Sequence, residues 1–145
     1  MGDLLAVYGT LRRGGRLHDR LGTATGRAVV VGAATIAGDI YEVASHDRDP
    51  IVDISYPCLD AGGDGRVVVE LYDIVDPSLW GELDELEGFD PDDLDNSEYH
   101  RRLVRVHDVL PSALDATTAW TYVYVLRAPD AARRIAGGDW INRHG

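Results

Sequence analysis

The chain has no lysine: its 14 basic residues are all arginine, set against 25 acids, for a net charge of −11 at neutral pH. An acidic excess of that size repels polyanions and argues against nucleic acid or an anionic membrane as a partner. Cys58 is the only cysteine, which excludes an internal disulfide and a thiolate metal cluster within one chain. His18, His46, His100, His107 and His144 are scattered without metal-ligand spacing, so no metal and no cofactor are expected. No apolar run approaches the length of a membrane span. Near the start, Asp3 stands where a secretory signal needs basic residues, and Ala6 where a myristoylation signal needs Ser or Thr. A cytoplasmic protein is expected; oligomeric state is not legible. The lysine-free, Asp-rich composition fits a GC-rich genome or adaptation to high salt, where screening tolerates an acidic surface; we favour the second.

What is present suits one globular domain over residues 1–145, with 45% hydrophobic and 27% charged residues. Strands are expected over residues 4–8, 28–34, 39–43, 66–75, 99–110 and 119–126, where Val, Ile, Leu and Tyr concentrate. Residues 56–59 read as an edge segment, because Pro57 cannot donate to a ladder. Residues 17–21 suit a helical turn ending at Gly22, and residues 130–136 a short helix. Loops are expected over 44–54, 62–65 and the acidic stretch 90–96. Strands dominate without regular βαβ alternation, which gives an α+β fold with a mixed or antiparallel sheet, open or closed into a barrel.

Residues 77–87 read as the principal helix, with Asp76 as N-cap, Pro77 at the first position and Gly88 as the stop. At about 100° per residue, Leu79, Trp80, Leu83 and Leu86 form one apolar stripe. Glu82, Asp84 and Glu85 fall outside it. Glu87 falls inside, roughly 40° from Leu83. It also ends the helix, where the macrodipole disfavours negative charge. Both effects raise a carboxyl pKa towards the range of a general base. The competing reading is a helix that frays at Gly88 and releases Glu87 into water.

The loop Tyr8-Gly9-Thr10-Leu11 leaves a buried strand through a glycine, a turn that can aim successive N–H groups at one carboxylate or oxyanion. A plain strand-end turn explains the same residues. Arg12 and Arg13 follow, read as a solvated pair near a pocket mouth, but no phosphate-loop pattern is present and no lysine could complete one.

Val7-Tyr8-Gly9-Thr10-Leu11-Arg12 resembles the opening motif of the gamma-glutamylcyclotransferase-like family. Glu70-Leu71-Tyr72-Asp73-Ile74 resembles its Glu-Leu-Tyr strand, Leu83-Asp84-Glu85-Leu86-Glu87-Gly88 its Leu-Asp-x-x-Glu helix end, and Tyr99-His100-Arg101 its Tyr-x-Arg strand start. Ala119-Trp120-Thr121-Tyr122-Val123-Tyr124 and Gly138-Asp139-Trp140 resemble its aromatic strand and closing motif. These segments run in the family's order along nearly the whole chain. One departure is Val69, where many members have glycine; another is a longer, more acidic stretch between Gly88 and Glu98.

The resemblance implies a mixed sheet closed into a barrel with flanking helices, and a cofactor-free enzyme. Its reaction would release 5-oxoproline from a γ-glutamyl amine or peptide by intramolecular aminolysis. Glu87 would be the general acid/base, the residue that the helical wheel also singles out. Tyr8, Gly9, Thr10 and Leu11 would line the substrate pocket. Tyr8 and Tyr124 are each a candidate for its wall or a hydroxyl hydrogen bond, or a core tyrosine with a satisfied hydroxyl. Arg101 is a further candidate substrate-binding residue, which would pair with a carboxylate, Glu87 included, or face solvent. Glu70 is either a second acid of the site or a cross-strand partner. Two rivals remain: a non-catalytic binding or regulatory protein on the same fold, and an anion-binding enzyme built on residues 9–15.

Overall fold

Gly38 and Val106 decide the layout, because at each a strand continues into another after a single residue. The computed structural model describes residues 3–44, 55–62, 64–124 and 133–142. Among these, the strands are β1 (Leu4–Val7), β2 (Ala28–Ala37), β3 (Asp39–Ala44), β4 (Ser55–Asp60), β5 (Arg66–Ile74), β6 (Tyr99–Arg105), β7 (His107–Leu110), β8 (Thr118–Tyr124) and β9 (Arg133–Arg134). The one α-helix among the described residues is α1 (Leu79–Leu86), and short 3-10 turns occupy His18–Leu21, Thr23–Thr25 and Leu94–Asn96.

Six strands form a mixed sheet in the order β6-β8-β1-β5-β2-β7, and β4-β3-β9 form a second sheet. The β1–β8 pairing is parallel and the others are antiparallel. The α+β class and the mixed sheet are as expected; the closed barrel is not. Among the described residues the ladder ends at β6 on one side and β7 on the other. The expected single strand over 99–110 breaks at Val106, which is buried in the core. Its halves pair with β8 and β2 at opposite edges, so those edges meet at one corner without a closing ladder.

Alternation along β1 buries both faces. Leu4, Ala6 and Tyr8 enter one apolar cluster with Val67, Val69, Leu71, Ile40, Leu59 and Trp140. Leu5, Val7 and Leu11 enter a second cluster with Tyr72, Ile74, Leu79, Leu83, Tyr99 and Tyr122. The second sheet therefore covers one face and α1 the other. Val69, where many members have glycine, is fully buried in the cluster that carries Tyr8.

Two further expectations change. Of the helix read over 130–136, residues 130–132 lie outside the described residues, and Arg133–Arg134 pair with β3 as a strand. The ladder to β3 outweighs local helix propensity there. The loop read over 44–54 lies outside the described residues except for Ala44, which ends β3. Pro57 lies on β4, an edge of the second sheet, where its missing N–H costs nothing. Among the described residues no helix is long and apolar enough to cross a membrane.

Candidate active site

Helix α1 is fixed at both ends. At its start, Asp76 accepts from the Ser78 N–H at 3.0 Å and the Ser78 hydroxyl at 2.7 Å. Arg27 brackets the same turn, pairing with Asp76 at 2.8 Å and with Glu82. At its end, the Gly88 N–H donates to the Glu85 carbonyl at 3.2 Å and the Phe89 N–H to the Asp84 carbonyl at 2.8 Å. These are the two bonds of a Schellman stop, which needs the left-handed backbone that Gly88 adopts at φ +69°. The Glu87 N–H bonds the Leu83 carbonyl at 2.9 Å, so this residue remains on the helix instead of fraying away.

Glu87 is half-buried. Desolvation pushes its carboxyl from the ordinary 4.5 up to about 7, with the nearby Glu98 carboxylate the second cause. The raised value thus comes from surroundings the chain itself supplies. Among the described residues its side chain has no hydrogen-bond or ion-pair partner. The hydroxyls of Tyr8, Tyr99 and Tyr122 lie around it, each held well above its usual pKa, first by burial. Tyr8 donates to the Tyr122 carbonyl at 2.6 Å, and Tyr99 to the Pro57 carbonyl at 2.6 Å. Tyr124 packs edge-on against Tyr99, ring centroids 5.2 Å apart. Cys58 sits 3.9 Å from the Tyr99 hydroxyl, and burial pushes its thiol up to about 12. It is a neutral packing group at neutral pH, not a nucleophile.

The loop after β1 borders this cluster through Tyr8 and Pro57. A Cβ on Gly9 would lie 2.2 Å from Pro57 Cγ, so only glycine lets β4 approach. The carbonyls of Gly9, Thr10 and Leu11 turn back into the fold. They accept from the Arg12 N–H at 3.0 Å, the Leu17 N–H at 2.9 Å and the His18 Nδ1 at 2.9 Å. Among the described residues, nothing accepts from the N–H groups of Gly9, Thr10 or Leu11. With the carbonyls occupied, the donors are the loop's unspent polarity.

Arg12 is not solvated: it is buried, with Nε 3.1 Å from Glu70 and Nη1 2.7 Å from Asp139. Glu70 also accepts from the Arg13 N–H at 2.8 Å and the Tyr72 hydroxyl at 2.9 Å. Glu70 is therefore a brace for the loop, and Asp139 of the closing motif its second anchor. Arg13 is exposed, as expected.

Asp84, expected in solvent, is turned inward. It accepts from the Tyr122 hydroxyl at 2.7 Å and lies 3.5 Å from Arg101 Nη2. The Arg101 guanidinium stacks 4.7 Å from the Trp80 ring centroid and 5.7 Å from that of Trp120. Arg101 thus pairs with Asp84 and not with Glu87. The wheel held a signal for Asp84, since it lies roughly 40° from Trp80. Only the return of the 88–98 loop brings Glu98 beside the end of α1. Among the described residues no three His, Cys, Asp or Glu side chains are placed to hold a metal ion. A groove of about 420 Å³ lined by Arg13, Val30, Ala33, Glu70 and Leu110 shares no residue with the surroundings of Glu87.

The fold is of the gamma-glutamyl cyclotransferase-like class. Residues 5–142 match the family model described as gamma-glutamyl cyclotransferase, AIG2-like, and the chain belongs to that family. Three solved structures illustrate the likeness. An uncharacterised protein from Pyrococcus horikoshii aligns over 99% of this chain and 93% of its own, with TM-score 0.67 and 22% identity. The protein YtfP from Escherichia coli aligns over 98% and 99%, with TM-score 0.61 and 27% identity. An AIG2-like protein from Mus musculus aligns over 88% and 80%, with TM-score 0.60 and 24% identity. No curated protein matches the sequence significantly.

Proposed function

We propose that this protein releases 5-oxoproline from a γ-glutamyl amine or γ-glutamyl peptide, with Glu87 as general acid/base. The observation that carries the reading is an unpaired carboxyl on a fixed helix end, ringed by neutral hydroxyls and bordered by donors without acceptors; desolvation there raises it to about 7. A group ionising near neutral pH can take a proton and return it within one turnover.

The ionised Glu87 accepts one proton from the substrate's α-ammonium. The freed amine attacks the γ-carbonyl carbon, a C–N bond forms, and the five-membered ring closes. The N–H groups of Gly9, Thr10 and Leu11 hold the glutamyl carboxylate or the oxyanion that develops. Protonated Glu87 gives its proton to the leaving nitrogen as the amide C–N bond breaks. It then takes the second proton from the ring nitrogen, and the departing amine carries that proton away. Tyr8 and Tyr124 shape the wall that folds the glutamyl chain towards ring closure, an entropic contribution needing no covalent intermediate. Arg101 positions α1 through Asp84 and leaves substrate contact to the loop.

The test is 5-oxoproline release from a panel of γ-glutamyl amines and dipeptides by wild type and Glu87→Gln. Release that falls by at least about a hundredfold in a folded variant supports the reading. Equal release by the variant, or none from wild type, overturns it and favours a binding protein on the same fold.

A further inference from the structure

The segment between Gly88 and Glu98 leaves the helix end and returns to it. The Glu98 N–H donates to the Gly88 carbonyl at 3.1 Å. Buried Ser97 locks the return: its hydroxyl accepts from the Asp90 N–H at 2.9 Å and lies 3.2 Å from the Asp90 carbonyl and 3.0 Å from that of Asp93. Glu98 therefore stands beside Gly88 at the helix end, immediately before Tyr99. A Cβ on Gly88 would lie 3.7 Å from Glu98 Cβ and 4.0 Å from its Oε2, so the side chain folds over Gly88 towards the helix end. Asp92, Asp93 and Asp95 of the same loop are exposed; Glu98 is half-buried.

The other acids of the site are matched. Asp84 has Tyr122 and Arg101; Glu70 has Arg12, Tyr72 and the Arg13 N–H. Among the described residues, Glu87 and Glu98 have no such partner. The remaining titratable groups facing Glu87 are Tyr8 at the end of β1, Tyr99 on β6 and Tyr122 on β8, with the Cys58 thiol on β4 beside the tyrosines. All are neutral at neutral pH. Glu98 lies over Gly88, next to Glu87 in the chain, and among the described residues neither carboxylate has a cation partner, which leaves a position suited to an external cation.

We propose that Glu98 is a substrate-contacting residue that holds the α-ammonium of the bound γ-glutamyl compound against Glu87. This rests on the reading of Glu87 given above. It adds a consequence: an arriving ammonium offsets the repulsion between the carboxylates, so binding itself helps ionise the base. Below neutral pH, substrate binding then releases a proton from Glu87.

The test compares L-glutamine with glutaramate, which lacks only the α-ammonium, by calorimetry in buffers of different ionisation enthalpy. Wild type is expected to prefer L-glutamine by about fivefold, the scale of one part-exposed charge pair, with proton release near pH 6.5. Glu98→Gln removes most of that preference and the proton release, and Glu98→Asp retains part of both. In the free protein, carboxyl NMR should show the Glu87 midpoint falling by about half a pH unit or more in Glu98→Gln. No preference in wild type, or a preference and midpoint unchanged in Glu98→Gln, overturns the proposal. The two readings separate cleanly. Cyclisation with an unaltered ammonium preference in Glu98→Gln sinks only this one. A Glu98-dependent preference without 5-oxoproline release sinks only the cyclotransferase reading.

Discussion

Tyr122 donates its hydroxyl to Asp84 at 2.7 Å, and that bond ties an interior strand of the large sheet to the helix that carries Glu87. Arg101 reaches the same carboxylate from β6, at 3.5 Å, while stacking on Trp80 and Trp120. The Leu-Asp-x-x-Glu, Tyr-x-Arg and aromatic-strand motifs thus meet in one clasp. Removing the short bond in Tyr122→Phe leaves Asp84 with only its longer contact to Arg101. We expect a loss of about 1–2 kcal/mol in stability, together with a several-fold fall in kcat/KM as the helix end loosens. Denaturant unfolding checks the first effect and 5-oxoproline release the second; a variant as stable as wild type would remove the clasp from the account.

Gly9→Ala places a methyl group 2.2 Å from Pro57 Cγ, a ring that cannot swing aside as a long side chain could. The loop or β4 must move, and the N–H groups of Thr10 and Leu11 move with it. Overpacking of this kind costs about 1–3 kcal/mol. The expected kinetic outcome is at least a tenfold rise in KM, since misplaced donors weaken substrate binding as well as the transition state (about 1.4 kcal/mol). An unchanged KM would show that the loop does not touch substrate.

Glu70→Gln tests the brace. Arg12 is buried and keeps Asp139, but loses the charge at 3.1 Å from Nε. Breaking one side of a largely buried pair costs about 3 kcal/mol. Because Glu70 also accepts from the Arg13 N–H at 2.8 Å, amide exchange across residues 10–15 should accelerate in the variant. Exchange at the wild-type rate would mean the loop is held by its own backbone bonds alone.

Glu87 and the Tyr8–Leu11 loop were legible because their signals are local. The wheel angle of one acid, a glycine after an apolar run and the motif spacing all lie within short windows. Partner choice is not local. Periodicity over 99–110 reports one continuous strand, yet nothing in it says that Tyr99–Arg105 joins β8 while His107–Leu110 joins β2. The same blindness hid the pairing of Asp84 with Arg101, which depends on which strand lies under the helix. Arg133 and Arg134 mislead in the opposite direction: helix propensity is real there, but β3 offers a ladder edge and takes them. The place of Glu98 is not legible because the path of an acidic loop is set by Ser97 and Gly88, whose bonds a sequence does not display.

The pH dependence of stability gives the most direct check on Glu87, because it needs no substrate. Its carboxyl ionises at about 7 in the folded protein, against 4.5 when ordinary. Between those values the folded state holds a proton that the unfolded state has lost. Stability from this group is therefore fully present below about pH 4.5 and declines as pH rises, levelling off once pH has passed about 7. Glu87→Gln cannot ionise and escapes the decline. At pH 8 the variant should be more stable than wild type by on the order of a few kcal/mol, with the two converging near pH 4. The same titration fixes the rate. Since the base must be ionised to accept the ammonium proton, wild-type kcat/KM should rise with pH and level off above about 7. Stability curves for the two proteins that run parallel from pH 4 to 8 would mean that Glu87 ionises as an ordinary surface acid. In that case a residue other than Glu87 would have to move the proton.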